Sequence, residues 1–353
     1  MASSRTPHFL TRPRLSGATT RGERTPARPR PFILILAYTA AIVVAAASTV
    51  ARAEKLYVAT GGDRILSYDV SSDNPTTIAA TQSTFWNDPN GGLGSIALDP
   101  AGNLWAGFSD GNLGGSLRQI APDGSLVGTW SSGTQYVGQI AMNGSVPTFW
   151  RASYDVQANV ARLNAGTIET IAYPPASSNN MGALAVDGGG QVYASWGGVS
   201  YGRVYTIQPG GALNLFWSAA DAPGSMAFSP LSPNLFAWMI RGDNSRDIVQ
   251  VTPAGVASSF VGGFSGQQIS FAFDAEGSMW LAWANANQIR KYDASGNLLF
   301  SFSTGAYSPG AITISAGSSP VPEIDPAGMA SVLTLLAGAL GLVERRRSGP
   351  APA

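Results

Sequence analysis

The residues that could do chemistry in this chain are few and mostly of one kind. Between residues 54 and 320 there is no His and no Cys, and the single His, His8, lies in a basic leader. The body therefore has no Ser-His-Asp triad, no His general base, no thiol nucleophile and no disulfide. Soft and borderline metals choose imidazole or thiolate, so only hard cations held by oxygen remain. Carboxylates are what is left. Three stand in an Asp-x-x-Gly pattern: Asp99 to Gly102, Asp187 to Gly190 and Asp274 to Gly277. At that spacing a carboxylate accepts backbone N–H bonds across a turn while Gly takes φ > 0, so their expected role is structural. Asp243 and Asp247 are the pair best suited to Ca²⁺, and two carboxylates make a weak site. The expectation is no catalytic residue and no cofactor.

Aromatic side chains offer a different chemistry, stacking on sugars or gripping another protein. Trp86, Tyr136, Tyr201, Phe264 and Tyr307 fall in stretches read as long loops, beside Phe85, Asp88, Asp110 and Asp221. Such side chains bind only if a rigid scaffold carries their loops on one face.

That scaffold is written as a repeat. Only 12 % of the 353 residues are charged, with 42 Gly and 23 Pro, against roughly 25 % charged in ordinary domains. Long charged helices are excluded, and short strands with tight turns are favoured. One short strand recurs six times, starting at Ile96, Ile140, Leu184, Met226, Phe271 and Ile312, at spacings of 44, 44, 42, 45 and 41. Gly stands two residues before it at Gly94, Gly138, Gly182, Gly224 and Gly310. Three further strands follow each copy, as at Leu104, Leu117 and Leu126. Four strands per unit of this length predict the blades of an all-β propeller. The body begins out of phase. Leu56–Val58, Ile65–Tyr68 and Thr77–Ala79 match the second, third and fourth strands, and Ile312–Ile314 supplies the missing first one. A six-bladed ring closed by pairing 311–315 with 56–60 is expected. The inner strands then place Ser95, Gln139, Ala183, Ser225, Ser270 and Ala311 around the channel, a ring without a carboxylate.

The ends read as addresses. Residues 1–30 carry seven Arg and one Glu, whereas residues 54–320 carry ten Lys and Arg against seventeen Asp and Glu. An apolar run from Phe32 and the small residues Ala51 and Ala53 follow the basic stretch. This is the pattern of a secretory signal, residues 1–53, cleaved after Ala53 and handled by the Sec machinery. The acidic body has no footprint for nucleic acid. At the other end a linker, residues 318–326, holds Val321-Pro322-Glu323. An apolar segment then leads to Arg345-Arg346-Arg347, so 327–353 is expected to be a short transmembrane helix with a basic tail.

A Pro-Glu motif, a short apolar helix and a terminal Arg cluster together resemble the PEP-CTERM sorting signal. Ile324 stands where that family has a second Pro. The resemblance implies an exosortase-type processing enzyme, transient membrane anchorage and a final place at the cell surface, outer envelope or extracellular matrix. The body, residues 54–317, resembles NHL and gluconolactonase-like propellers through its Asp-x-x-Gly-Asn-Leu-Trp turn at Asp99–Trp105. Gluconolactonase-like enzymes hold a divalent metal in the channel with acidic and amide side chains, and streptogramin-lyase-like propellers rely on a histidine. This body departs from both patterns. The expected function is a non-catalytic propeller that binds an extracellular glycan or protein or builds the envelope matrix. The alternative is a hydrolase or lyase of the gluconolactonase-like type using Asp or Glu and a divalent cation.

Overall fold

A computed structural model describes residues 54–315, except 62, 89–90, 110–113, 153–156, 176–180, 199–200, 220–222, 241–245 and 265–268. The chain opens with β1 (Lys55–Thr60) and β2 (Arg64–Asp69), a one-turn helix α1 (Pro75–Ala80), and β3 (Ser83–Asn87). Five four-stranded units follow. The first is β4 (Leu93–Leu98), β5 (Leu104–Ser109), β6 (Gly115–Ile120) and β7 (Leu126–Ser131). The next is β8 (Tyr136–Asn143), β9 (Val146–Ala152), β10 (Asn159–Asn164) and β11 (Thr167–Ala172). Then come β12 (Met181–Val186), β13 (Val192–Gly198), β14 (Tyr201–Ile207) and β15 (Leu213–Ala219). The fourth is β16 (Ser225–Phe228), β17 (Leu235–Ile240), β18 (Arg246–Val251) and β19 (Ala257–Phe264). The fifth is β20 (Ile269–Phe273), β21 (Met279–Trp283), β22 (Gln288–Tyr292) and β23 (Leu298–Ser303). Finally β24 (Pro309–Ile314) pairs with β1, giving six antiparallel four-stranded sheets.

The sheets are blades of one ring. The inner strands pack in sequence, β24 on β4, then β8, β12, β16, β20 and back to β24. The expected six-bladed propeller is what forms, and the closing register is the expected one: Leu56 opposite Ile314, Tyr57 opposite Thr313, Val58 opposite Ile312. Burial follows position in the blade. Second strands are covered on both faces, so β5 reads Leu-Trp-Ala-Gly-Phe with every residue buried and lacks polar alternation. Outermost strands are covered on one face, which leaves Leu126, Leu215 and Leu298 exposed. Six apolar clusters fill the gaps between neighbouring blades.

Two details differ from the sequence reading. Thr77–Ala79 is helix, not strand. Asn74 caps it, its side chain accepting from Thr76 N and Thr77 N, and Pro75 takes the first turn, where its missing N–H costs nothing. The outer strand of that blade is β3, in a stretch read as loop. Ala183 also leaves the channel ring. The pairing of β12 with β13 slips between Met181 and Leu184, and Ala183 is fully buried with its N–H donated to Ser195 Oγ at 2.7 Å. Ala183 packs with Met226, Ala237 and Val249 in an apolar cluster between blades. The leader, Val321-Pro322-Glu323 and the segment ending in Arg345–Arg347 lie outside the described residues. Among the described residues no helix is long and apolar enough to cross a membrane.

Two outcomes are expected. Ile312→Ala, in the closing strand, should lower unfolding free energy by about 3 kcal/mol in urea titration. The same truncation at Leu298, exposed on an outer strand, should stay within about 0.5 kcal/mol. The second outcome concerns alkali. Burial pushes the Tyr68 phenol above its ordinary value of 10.0, and Tyr307 adds to the rise. Tyr57 and Tyr193 are also raised, first by burial. The folded ring keeps protons that the unfolded chain releases, so this stability is intact below about pH 10 and falls above it. Phenolate absorbance should appear together with loss of the fold; full ionisation of all tyrosines in a still-folded ring would contradict this.

Candidate functional site

Strands β4, β8, β12, β16, β20 and β24 surround a central cavity of about 610 Å³. Ser95, Gln139, Ser225, Ser270 and Ala311 line it, as the repeat implied. Two of these polar groups stitch neighbouring blades. Ser95 Oγ accepts from Ile140 N at 2.9 Å. Gln139 Oε1 accepts from Leu184 N at 3.0 Å, and its Nε2 donates to Met226 O at 3.4 Å. Gln139 thus ties three inner strands. Among the described residues the lining contains no Asp, Glu, Lys, Arg or His.

Three aromatic side chains stand where the inner strands begin: Tyr136, Trp150 and Trp238 all line the cavity. Tyr136 and Trp150 meet edge to face with centroids 5.5 Å apart. The glycines two residues ahead of the inner strand make room for the indoles. A Cβ on Gly138 would fall 2.1 Å from Trp150 Cε2, and one on Gly224 would fall 2.3 Å from Trp238 Cζ3. The indole N–H groups of both tryptophans are sealed from solvent without an acceptor. The sequence reading did not single out this pair. The signal was the pairing of a repeated Gly with a Trp on the adjacent strand, at a register different from that of Trp105 and Trp280.

Four of the five aromatics expected on loops have described side chains, and those four do not line one site. Trp86 lies in β3, edge-on to Phe108 and beneath the Arg118 guanidinium. Tyr136 opens β8 and lines the cavity. Tyr201 opens β14. Phe264 ends β19, 3 % exposed against Trp283. Tyr307 sits in the β23–β24 turn, its hydroxyl accepting from Arg64 Nη1 at 2.9 Å.

The carboxylates are committed elsewhere. Asp99 Oδ1 accepts from Ala101 N and Asn103 N at 3.0 and 2.9 Å, and Oδ2 accepts from Trp105 Nε1 at 3.2 Å. Asp274 repeats this with Ser278 N at 2.7 Å and Trp280 Nε1 at 3.0 Å. Asp187 accepts from Gly189 N and Gln191 N, each at 2.9 Å. Buried Asp88 pairs with Arg118. Asp247 Oδ1 accepts from Gly263 N at 3.4 Å. Asp110, Asp221 and Asp243 lie outside the described residues, so the Asp243–Asp247 pair is seen by one member. One carboxylate trio does converge: Glu54, Asp274 and Glu276 bring oxygens within 4.8 Å of one another. Lys291 Nζ lies 3.6 Å from Asp274 Oδ2 and 3.6 Å from Asp73 Oδ1, which supplies positive charge to that corner. The trio is not part of the cavity lining.

No protein-family model matches the chain, and no curated protein does. Solved structures share its architecture. TolB from Acinetobacter baumannii superposes with a TM-score of 0.53 at 10 % identity, over 74 % of this chain and 65 % of that one. A protein of unknown function from Bacteroides caccae gives 0.51 at 13 %, over 74 % and 98 %. A streptogramin B lyase gives 0.47 at 14 %, over 64 % and 74 %. The likeness at these identities is one of fold.

The glycine–indole contact makes a prediction. Gly138→Ala should expel the Trp150 ring, changing tryptophan emission and costing about 1–3 kcal/mol. Gly188→Ala, where nothing lies within 4 Å of the added Cβ, should stay within about 0.5 kcal/mol.

Proposed function

We propose that this chain is exported, processed at both ends and directed to the cell envelope, where its propeller binds a ligand without transforming it. One observation carries the binding reading: the central cavity is walled by uncharged side chains, with Tyr136, Trp150 and Trp238 where the inner strands begin. General acid–base catalysis needs a positioned group that exchanges a proton near the working pH. Among the described residues Tyr136 is the lining's one ionisable side chain. Aromatic faces and amide or hydroxyl groups suit a ligand held by stacking and hydrogen bonds.

The alternative, a lyase or hydrolase using carboxylates and a divalent cation, finds its support in Glu54, Asp274 and Glu276. Two features weigh against it. Asp274 already serves its turn and Trp280, and Lys291 holds the position next to it.

Export is supported by the basic leader, the apolar run and Ala51-Arg52-Ala53. Sorting by an exosortase-type enzyme is supported by Val321-Pro322-Glu323 and Arg345–Arg347. Mass spectrometry of the protein from its native cells is the test. The mature form should begin at Glu54 and lack the Arg cluster. Intact peptides spanning Ala53–Glu54 and Pro322–Ala353 would reject processing at both ends.

A further inference from the structure

Among the described residues one buried cation has no counter-ion. Arg246 opens β18 and is 7 % exposed. Its Nε and Nη1 are sealed from solvent without a hydrogen-bond partner. None of the ion pairs among the described residues includes it. Its guanidinium lies 5.3 Å from the Trp238 ring centroid, and Trp238 Nε1 is itself unpartnered. The register explains the meeting. Trp238 is opposite Ile248, and Arg246 is two residues from Ile248 on the same face. Phe264, opposite Arg246, closes the other side.

Isolating a charge from water is costly unless an opposite charge meets it. This chain meets that demand elsewhere. Arg118 stacks on Phe108 and pairs with buried Asp88. Arg64, at the same place in its strand as Arg246, is 40 % exposed, stacks on Tyr307, donates to its hydroxyl and lies 3.6 Å from Asp63 Oδ1. Arg246 keeps the stacking and lacks the acceptor. A stacked indole alone returns about 2 kcal/mol to a desolvated cation, which leaves most of the charge uncompensated.

We infer that Arg246 and Trp238 form a binding site for the carboxylate group of a ligand. The donors present are Nε and Nη1 of Arg246 and Nε1 of Trp238, with no acceptor among them. A guanidinium pairs with a carboxylate through charge-assisted N–H bonds, and the Trp238 N–H adds a neutral donor beside it. Trp238 also walls the central cavity, so the uncharged part of the same ligand would lie along the channel. The inference rests on the binding reading above and adds the ligand's charge to it. The body carries more acidic than basic residues, so general attraction of anions is not expected of it.

The experiment measures melting of the full chain at constant ionic strength in chloride, acetate, glucuronate, phosphate or neutral glucose. Glucuronate and acetate at about 20 mM should raise Tm by about 2 °C or more over chloride. Arg246→Met should abolish that rise. Arg246→Lys should keep a reduced one, because an ammonium is a point charge without the fork. Trp238→Phe, which keeps an aromatic ring and removes the N–H, should weaken it. Should Arg246→Met fail to fold, Arg246→Lys and Trp238→Phe carry the comparison. No rise with either carboxylate, or an equal rise in Arg246→Met, overturns the site. A rise with phosphate alone overturns the carboxylate assignment. A rise with glucose, unchanged by Arg246→Met and lost in Trp238→Phe, overturns the anion site while supporting the binding reading.

Discussion

The ladder between β24 and β1 is the contact on which the rest of the structure depends. It joins the two ends of the described chain, with Lys55 N donating to Ser315 Oγ across 260 positions. Closing so long a loop is entropically tolerable, since each doubling of length adds only about 0.6 kcal/mol. What the ladder secures is much larger. Without β24 the blade holding β1 to β3 has no inner strand. The cluster of Leu56, Val58, Trp280, Ile289, Ile312 and Ile314 then opens to water. An open ring also exposes a strand edge able to pair with other chains. The channel inherits the same dependence, because its wall consists of six inner strands packed in a circle.

The ring's economy of charge follows from that geometry. Inner strands face a narrow shared space, where an ionised group would have few waters and like neighbours. They carry Ser, Thr, Gln, Gly and Ala there, and Ser95 and Gln139 bond to the backbone of neighbouring blades. Ionised groups are moved to turns and to the gaps between blades. In the turns, Asp carboxylates accept several N–H bonds at once. In the gaps, cations lie on aromatic rings, as Lys291 does on Trp280 and Arg290 on Trp283. Arg246 is the departure from this pattern, and its position beside a channel tryptophan gives the departure a functional meaning.

Much of the architecture was legible in the sequence because repetition averages out local ambiguity. Any one Ile-Ala-Leu-Asp is a weak strand signal. Six at near-constant spacing, five preceded by Gly, fix the blade number and reveal the displaced start. The turn aspartates were legible for the same reason. What escaped was local or relational. Asn74-Pro75 is a helix start, overridden in the reading by a match to the strand pattern. Ala183 leaves the channel for an apolar cluster between blades, a packing choice that no composition shows. Aromatics read as loop residues proved to be strand ends such as Trp86 and Phe264, because strands extend past the repeat motif toward the longer loops. Trp150 and Trp238 were hidden since their place depends on Gly138 and Gly224 in a neighbouring strand.

Native-state hydrogen exchange tests the dependence on closure most directly. The account predicts that amides hydrogen-bonded between 55–60 and 309–314 exchange only by global unfolding. Their opening free energy should equal that of the second strands in the other blades, β13 and β17 included. Exchange of the 309–314 amides through a low-energy local opening, with β13 and β17 still protected, would show that the ring stands without its closing strand and would contradict the account.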